Sequence, residues 1–297
     1  MHIALIGAGA LGQAVKSLLA EKPVSISIWD IDPQKTDPSQ TLEIIIPQAN
    51  FVFFALPSWG MRQAIQSVQP LLRPTTRLVS FAKGIEEESG KTTYDLFMEI
   101  VPSHPLVVVG GPMLAEEIHE GKKAIAVIAS RDSETMNTLR ELMSSPRLRV
   151  ETSNQPDALA VAGVLKNIYT VALGLADGLE LSGNEKGWLV AQCVEEMLAI
   201  ARTMHTDETI ILGTGGLGDF IATGFSPSSR NRTVGYEIAT KGICNLRAEG
   251  LSSLPGLMKR LGEETKHLPL LHLINAVGIV CKPAQTEFTK YFDAQEK

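Results

Sequence analysis

The segment GAGALG at residues 7–12 constrains the fold of this chain more than any other feature. It follows the apolar run His2–Ile6, which is typical of a strand, and a helical pattern continues from it over Leu11–Ala20. In this context the first glycine permits a tight turn, the second lets a pyrophosphate approach the backbone, and the third lets helix and strand pack closely. The free N–H groups of the helix would face the phosphates. The segment therefore predicts a dinucleotide-binding loop, with a ligand-free turn as the alternative.

Short apolar runs alternate with helical patterns through the first half of the chain. The predicted strands are His2–Ile6, Val24–Trp29, Phe51–Leu56, Leu78–Phe81, Leu106–Val109, Ala124–Ala129 and Leu148–Val150. The predicted helices between them are Leu11–Ala20, Met61–Val68, Thr92–Ile100, Ala115–Glu120 and Glu134–Met143. Continuous Val, Ile, Leu and Phe runs are typical of parallel strands covered on both faces. The alternation predicts an α/β fold with an N-terminal, Rossmann-type doubly wound sheet.

The second half of the chain lacks this alternation. Strands stop after about Glu151, and the turn-rich connector SNQP at 153–156 precedes a helical region that begins at Asp157. Further helices are predicted over Trp188–Thr203, Asn231–Thr240 and Leu254–Leu261. We therefore predict a dinucleotide-binding domain over residues 1–152 and an all-α substrate and catalytic domain over residues 153–297.

One stretch, Ala158–Ala176, is apolar enough to suggest a membrane span. Lys166 and Asn167 lie near its middle, however, and a charge there is costly in lipid. We predict a buried helix of a soluble domain and no membrane association.

Composition excludes several classes of function. The formal net charge is −6 and the Lys and Arg residues are scattered, so the basic stripe of a nucleic-acid-binding protein is missing. Cys193, Cys244 and Cys281 are far apart and match neither a metal site nor a disulfide framework. We expect no metal and a reducing, cytoplasmic location. The chain starts within a strand pattern, so we expect no signal peptide.

Asp30 ends the second predicted strand, 18 residues beyond Gly12. The acidic residue that binds the ribose hydroxyls in dinucleotide-binding folds stands at an offset of about 20 residues. A carboxylate accepts hydrogen bonds from both hydroxyls and repels a 2′-phosphate. Asp30 therefore predicts NAD over NADP, with NADP possible. Asp32 is a rival for the same role, and a solvated turn at the strand end is the alternative to both.

Two lysines stand in unusual surroundings. Lys83 directly follows a predicted strand, and ligands of open α/β sheets bind at strand carboxyl ends. A solvated loop lysine is the alternative. Lys166 is the only charge within the apolar stretch, so its ammonium needs a partner or a lowered pKa. Either condition suits a proton donor to a carbonyl oxygen, whereas a lysine that reaches solvent from the helix edge is the alternative.

Two polar segments follow in the helical half. Asp219 lies between the glycine-rich turn 215–218 and an apolar run, where it can cap the next helix, pair with Lys166, or both. The segment SPSSRNR at 226–232 places hydroxyls, Arg and Asn at a predicted helix start. This resembles a phosphate clamp, since Arg presents a planar fork and the helix end adds N–H groups. Taken alone, such a run is more often a surface loop.

Together these segments resemble the bacterial-type NAD(P)-dependent glycerol-3-phosphate dehydrogenases. The matching pieces occur in family order and span almost the whole chain: GAGALG at 7–12, FALPS at 54–58, AKGIE at 82–86, GPMLAEEI at 111–118, GVLKN at 163–167, GLGDFIATG at 216–224, SPSSRNRTVG at 226–235 and AEG at 248–250. The combination of GVLKN, GLGD and SRNR is the most specific.

The resemblance implies hydride exchange between a nicotinamide cofactor and dihydroxyacetone phosphate or sn-glycerol 3-phosphate, with a role in phospholipid synthesis. Lys166 would be the general acid and base, with Lys83 and Asp219 as further catalytic residues. The implied substrate-binding residues are Lys83, Gly111, Asn167, Asp219, Thr223, Arg230 and Asn231. The implied cofactor-binding residues are Gly7, Gly9, Ala10, Leu11, Gly12, Asp30, Pro57, Lys83, Ala115, Arg230 and Glu249. The family also makes a homodimer possible.

Three departures from the family pattern stand out. The segment Ile31–Asn50 is shorter than usual, and Asp30-Ile31-Asp32 stands where the family often has an arginine. Both changes concern the adenosine end of the cofactor. Met113 replaces a small hydroxyl residue, and the sequence offers no account of it.

Two other functions remain open at this point. A related two-domain hydroxy-acid dehydrogenase would share the loop and a lysine-bearing helix, but it would recognise a carboxylate, which the segment 226–232 does not favour. A non-catalytic NAD-binding sensor would need the loop without Lys83, Lys166 and Asp219 together.

Overall fold

The computed structural model describes residues 1–243 and 245–294; Cys244 lies outside them. The chain divides into two compact units. Unit 1 comprises Met1–Lys83 and Thr92–Ala160, and unit 2 comprises Gly84–Lys91 and the chain from Val161 onward. The units are interleaved along the sequence, and the domain limits at residues 152 and 153 stay a prediction.

Unit 1 contains a seven-stranded sheet built from the described residues. The strands are β1 His2–Ile6, β2 Ser25–Trp29, β3 Phe51–Phe54, β4 Arg77–Ser80, β5 Leu106–Gly110, β6 Ala124–Ala129 and β7 Leu148–Ser153. The helices are α1 Ala10–Leu18, α2 Leu42–Ile45, α3 Met61–Val68, α4 Thr93–Ile100, α5 Ala115–His119 and α6 Ser133–Met143. All seven predicted strands and all five helices predicted between them are present, and the α/β class is confirmed.

The sheet runs in the order β2-β1-β3-β4-β5-β6-β7, with β2 at one edge. Every pair is parallel except β5–β6, which is antiparallel with Val109 opposite Ile128. The expectation of parallel strands is wrong at this one pair. The reason is the short connection, in which the five-residue helix α5 lies between β5 and β6. It is too short to cross the sheet, so β6 starts at the edge formed by the carboxyl end of β5 and runs back in the opposite direction. The carboxyl ends of β1 to β5 share that edge, so the loops that follow them lie together.

Unit 2 is helical. It continues α7 Pro156–Gly178 and adds α8 Gly183–Thr203, α9 Glu208–Leu212, α10 Asp219–Gly224, α11 Arg230–Lys241, α12 Glu249–Leu261, α13 Pro269–Gly278 and α14 Ala284–Ala294. The most apolar 18-residue window of α7 is long and apolar enough to cross a membrane, but all of it is buried inside the protein. This agrees with the predicted core helix. Helices α2, α9, α10, α13 and α14 were not predicted. Helices α2, α9 and α10 have only four to six residues, whereas α13 carries a buried apolar stripe at Leu270, Leu273, Ile274 and Val277 and could have been predicted.

Helices α11 and α12 approach the backbone of α7 closely. A Cβ atom on Gly235 of α11 would lie 2.1 Å from the carbonyl oxygen of Val171, and one on Gly250 of α12 would lie 2.4 Å from that of Asn167. Only glycine fits such contacts without moving the helices. These two residues therefore bring the starts of α11 and α12 beside the middle of α7, where Lys166 and Asn167 are located.

Candidate functional site

The glycine loop of unit 1 has the geometry that a pyrophosphate seat requires. Gly7 has φ of +105°, and a Cβ there would lie 2.4 Å from the carbonyl oxygen of Ala55. A Cβ on Gly12 would lie 2.0 Å from the carbonyl oxygen of Gly7, whereas one on Gly9 would meet no described atom within 4 Å. Gly7 and Gly12 are thus required by the close packing of the backbone, whereas the space beside Gly9 is open to a ligand. Helix α1 starts at Ala10 without a side-chain cap from any described residue, which leaves its first N–H groups for an anion.

Asp30 reaches back to this loop. Its Oδ2 accepts a hydrogen bond from the N–H of Ala8 at 2.7 Å, and its Oδ1 accepts one from the N–H of Asp32 at 2.9 Å. The rival Asp32 is engaged elsewhere, since its carboxylate accepts from the N–H of Gln34 at 3.1 Å and pairs with Lys35 at 3.2 Å. The Gln34 hydrogen bond, followed by Lys35, lowers the pKa of Asp32. The structure therefore favours Asp30 for contact with a ribose.

A cavity of about 330 Å³ opens beside Asp30. Its wall includes Gly7 of the loop, Trp29 and Ile31 at the end of β2, and Pro57 and Trp59 after β3. The predicted cofactor residues Gly7, Asp30 and Pro57 thus line one cavity. Its apolar walls suit a flat heterocycle.

Lys83 lies at the same edge of the sheet. Its Nζ donates a hydrogen bond to the carbonyl oxygen of Gly111 at 3.3 Å, so the ends of β4 and β5 hold it. Gly111 has φ of +89°, and a Cβ there would lie 2.8 Å from the carbonyl oxygen of Ile125. Glycine is thus required at this position by the fold, whatever its role toward a substrate. The predicted location of Lys83 at the strand carboxyl ends is confirmed.

Two further residues of the GPMLAEEI motif have structural positions. Ala115 is the first residue of α5 and packs against the core of unit 1. Met113, which departs from the family pattern, belongs to the same core and is 9% exposed. Burial of its side chain explains why an apolar residue is tolerated there.

Lys166 belongs to a buried polar cluster in unit 2. Its Nζ lies 3.2 Å from Oδ1 of Asp219 and donates a hydrogen bond to Oγ1 of Thr223 at 2.8 Å. Thr223 in turn donates from Oγ1 to Oδ1 of Asp219 at 3.2 Å. The three residues are buried, and the predicted pairing of Lys166 with Asp219 is present. The alternative in which Lys166 extends to solvent is wrong.

The sequence suggested an irregular glycine-rich turn before Asp219. The structure has a short π-helix there instead, over Thr214–Gly218, which joins α9 to α10. The N–H of Gly218 donates to the carbonyl oxygen of Gly213, and a Cβ on Gly216 would lie 2.2 Å from the carbonyl oxygen of Ile211. Asp219 is therefore the first residue of α10, and the residue at the helix N-cap is Gly218. The wider turn directs Asp219 to Lys166 in place of a cap, and π-turns often mark functional sites.

Asn167 and Asn231 form a second buried network beside this cluster. Nδ2 of Asn231 donates to Oδ1 of Asn167 at 2.9 Å, and Oδ1 of Asn231 accepts from the N–H of Gly250 at 2.8 Å. This network links α7, α11 and α12 at the point where each carries a predicted site residue. Arg230 and Glu249 adjoin it as the first residues of α11 and α12. Arg230 is exposed, and Oγ of Ser229 caps its helix by accepting from the N–H of Arg232 at 3.3 Å.

Sequence reasoning missed two polar groups of unit 2. Buried Glu196 accepts hydrogen bonds from the N–H groups of Leu270 and Leu271, at 2.6 and 2.9 Å, and from the hydroxyl of Tyr169 at 2.8 Å. Its signal was available, because Glu196 falls on the buried stripe of α8 with Cys193 and Met197. Glu196 thus caps the N-terminus of α13, which is a structural role.

The second missed group is Asp177 at the end of α7. Its carboxylate pairs with Nε of Arg232 and with Nζ of Lys186, both at 2.7 Å. The pair with Arg232 fixes the first turn of α11, where Arg230 and Asn231 also lie. No local pattern signals it, since Asp177 and Arg232 are 55 positions apart.

Family comparisons cover most of the chain. Residues 33–136 match the model for the NAD-dependent glycerol-3-phosphate dehydrogenase N-terminus, and residues 156–286 match the model for the C-terminus of the same family. The glycerol-3-phosphate dehydrogenase (NAD(P)+) of Nostoc sp. is 34% identical over 255 residues, which cover 86% of this chain and 80% of the relative. That of Pseudomonas aeruginosa is 29% identical and aligns with 93% of this chain and 89% of its own length.

Solved structures show the same fold. A glycerol-3-phosphate dehydrogenase from Coxiella burnetii superposes with a TM-score of 0.91 at 21% identity, covering 100% of this chain and 99% of that one. A ketopantoate reductase from Ralstonia eutropha superposes with a TM-score of 0.63 at 16% identity, covering 98% and 99%.

Proposed function

Because this chain belongs to the NAD-dependent glycerol-3-phosphate dehydrogenase family and is an NAD(P)-dependent oxidoreductase, we propose that it interconverts dihydroxyacetone phosphate and sn-glycerol 3-phosphate. The observation that carries the proposal is the buried cluster of Lys166, Asp219 and Thr223. It holds a proton donor in a fixed position inside a helical unit.

The chemistry that this cluster can perform follows from its geometry. When bound, a nicotinamide cofactor would supply the hydride that C2 of the ketone takes up. Lys166 donates a proton from Nζ to the C2 oxygen as negative charge develops there, and it accepts that proton in the reverse direction. Asp219 and Thr223 hold Nζ in place at 3.2 and 2.8 Å, so its side chain needs little reorganisation during the reaction.

The remaining residues bind and orient. We assign Arg230 and the start of α11 to the substrate phosphate, because an exposed guanidinium at the N-terminal end of a helix suits a dianion. Asn167 and Asn231 either bind the substrate near its phosphate or hold α11 beside Lys166 through their mutual hydrogen bond. Lys83, whose Nζ donates to the carbonyl oxygen of Gly111, is assigned to the substrate, and Glu249 to the cofactor. These roles rest on the family resemblance together with the positions described above.

The test is to follow oxidation of NADH and of NADPH by the full chain with dihydroxyacetone phosphate, and with ketopantoate as the competing hydroxy-acid reaction. We expect turnover with dihydroxyacetone phosphate and none above background with ketopantoate. The reverse result would support the hydroxy-acid alternative, which the fold alone permits. Cofactor binding without turnover of either substrate would support the sensor.

Three broader assignments complete the proposal. The glycerol 3-phosphate formed would supply phospholipid synthesis, the enzyme would work in the cytoplasm, and it would form a homodimer. All three follow from the resemblance. Cell fractionation tests the location, and light scattering of the purified chain tests the dimer. Phospholipid synthesis in a deletion strain, measured with and without added glycerol 3-phosphate, tests the metabolic role.

A further inference from the structure

Strand β2 is the first strand of the sheet, and no strand among the described residues pairs with the outer side of its backbone. Side chains of the short segment that follows take that place. Oε1 of Gln40 accepts a hydrogen bond from the N–H of Ile28 at 3.2 Å. Oγ1 of Thr36 accepts one from the N–H of Asp30 at 2.7 Å and donates to the carbonyl oxygen of Asp30 at 2.9 Å. Thr36 therefore fixes both backbone polar groups of Asp30.

The carboxylate of Asp30 is held as firmly as its backbone. One oxygen accepts from the N–H of Ala8 in the glycine loop, and the other accepts from the N–H of Asp32. Each carboxylate oxygen can accept a second hydrogen bond. Asp30 can thus still receive two hydroxyl groups from a ribose, in an orientation that the fold sets before the ligand binds.

The cavity next to Asp30 offers no compensation for added negative charge. Among the described residues that line it there is no Lys, Arg or His. The neighbouring Lys35 is paired with Asp32, and Arg62 of α3 is paired with Glu99 at 3.1 Å. A phosphate on the 2′ oxygen would meet a fixed carboxylate instead of the cations that such groups need. The same carboxylate favours a ribose with two free hydroxyls.

The sequence predicts a preference for NAD(H) over NADP(H) at Asp30, and we propose that Thr36 is the positioning residue that sets this preference through Asp30. The proposal rests on the proposed function, because it concerns the cofactor of that reaction. Its main test measures cofactor binding alone and does not depend on which substrate is reduced.

The experiment is a fluorescence titration of the full chain with NADH and with NADPH, in the absence of substrate. We expect NADH to bind at least about tenfold more tightly, which corresponds to about 1.4 kcal/mol. In Asp30→Asn the ratio of the two dissociation constants should fall to within about threefold, because the charge that opposes the 2′-phosphate is removed. Equal or tighter binding of NADPH by the unchanged chain would overturn the selection.

Thr36→Val tests the positioning role, with Ser39→Ala as the matched control. Both remove one hydroxyl from the same segment, but that of Ser39 donates to Asp37 and not to Asp30. In Thr36→Val we expect the NADH preference to narrow by at least about threefold and the KM for NADH to rise, with kcat at saturating NADH unchanged. If Thr36 had only a structural role, its replacement would weaken the binding of NADH and NADPH equally and leave the ratio of their dissociation constants unchanged. That result would overturn the positioning role of Thr36.

The outcome is separable from that of the proposed function. If NADH binds selectively but dihydroxyacetone phosphate is not reduced, only the reaction is wrong. If dihydroxyacetone phosphate is reduced with both cofactors at equal efficiency, only the selection is wrong.

Discussion

Nζ of Lys166 lies 3.2 Å from Oδ1 of Asp219, and the two side chains are only 8% and 1% exposed. Burying two charges costs free energy that their attraction barely offsets. Such a pair is a poor way to stabilise a helical core, where apolar side chains would serve better. Its presence beside Thr223 is better explained by a need for a proton donor than by a need for stability.

Replacement of Lys166 should abolish most of the activity. In Lys166→Met we expect kcat to fall by about 10²–10⁴-fold, because general acid catalysis contributes that much, while NADH binding persists. Lys186→Met is the matched control, since it removes a half-buried lysine of α8 that pairs with Asp177. Stopped-flow or steady-state kinetics provide the measurement. A near-normal kcat in Lys166→Met would contradict the assigned role.

Thr223 should matter through its hydroxyl. Because Oγ1 connects Nζ of Lys166 to Oδ1 of Asp219, Thr223→Val leaves both buried charges with one hydrogen bond fewer. We expect kcat to fall about tenfold and the free energy of unfolding to fall by about 1–3 kcal/mol. Thr223→Ser keeps the hydroxyl and should retain most of both. If valine and serine variants behaved alike, the hydroxyl would have no part in the site.

Much of the site could be predicted because its signals are local. Lys166 stands out as the lone charge of an apolar stretch, and the glycine loop follows a strand. The bond between Asn167 and Asn231 could not be derived, because it joins residues 64 positions apart through the packing of α7 on α11. Likewise, a fully buried strand reads the same in either direction, which is why the antiparallel β6 escaped prediction. The role of Thr36 could not be predicted either. Its side chain bonds the backbone of the edge strand β2, and such a contact leaves no periodic pattern in the sequence.

Glu196 should stabilise the fold in a pH-dependent manner. Burial raises the pKa of its carboxyl above the ordinary value of 4.5, and hydrogen bonds from Leu270, Tyr169 and Leu271 partly offset this effect. A raised folded pKa means that the contribution is fully present below the unfolded pKa and is lost as the pH rises through the folded value. Glu196→Gln should unfold more easily by about 2 kcal/mol in acid, since an amide cannot accept all three hydrogen bonds. We expect the difference from the unchanged chain to shrink as the pH rises above about 4.5.

Urea unfolding at a series of pH values measures this difference. The partly exposed Glu185 of the same helix gives a control: its pKa is lowered, first by the hydrogen bond with Ser182, so its contribution is present above the ordinary pKa and is lost toward acid. A Glu196→Gln penalty that grew with rising pH would show that the hydrogen bonds outweigh burial.

His205 marks a place where the fold can be made more stable. It ends α8 with φ of +53°, a left-handed conformation that favours glycine. The backbone there forms the double closure of a Schellman motif, in which the N–H of Thr206 donates to the carbonyl oxygen of Ala201 at 2.9 Å and that of His205 donates to Arg202 at 3.0 Å. His205→Gly should raise the free energy of unfolding by about 1 kcal/mol, because relief of the strained φ exceeds the entropy that glycine adds to the unfolded chain. His205→Ala keeps the strain and should give no gain, so thermal unfolding of the two variants separates backbone strain from loss of the imidazole; equal melting temperatures would refute the explanation.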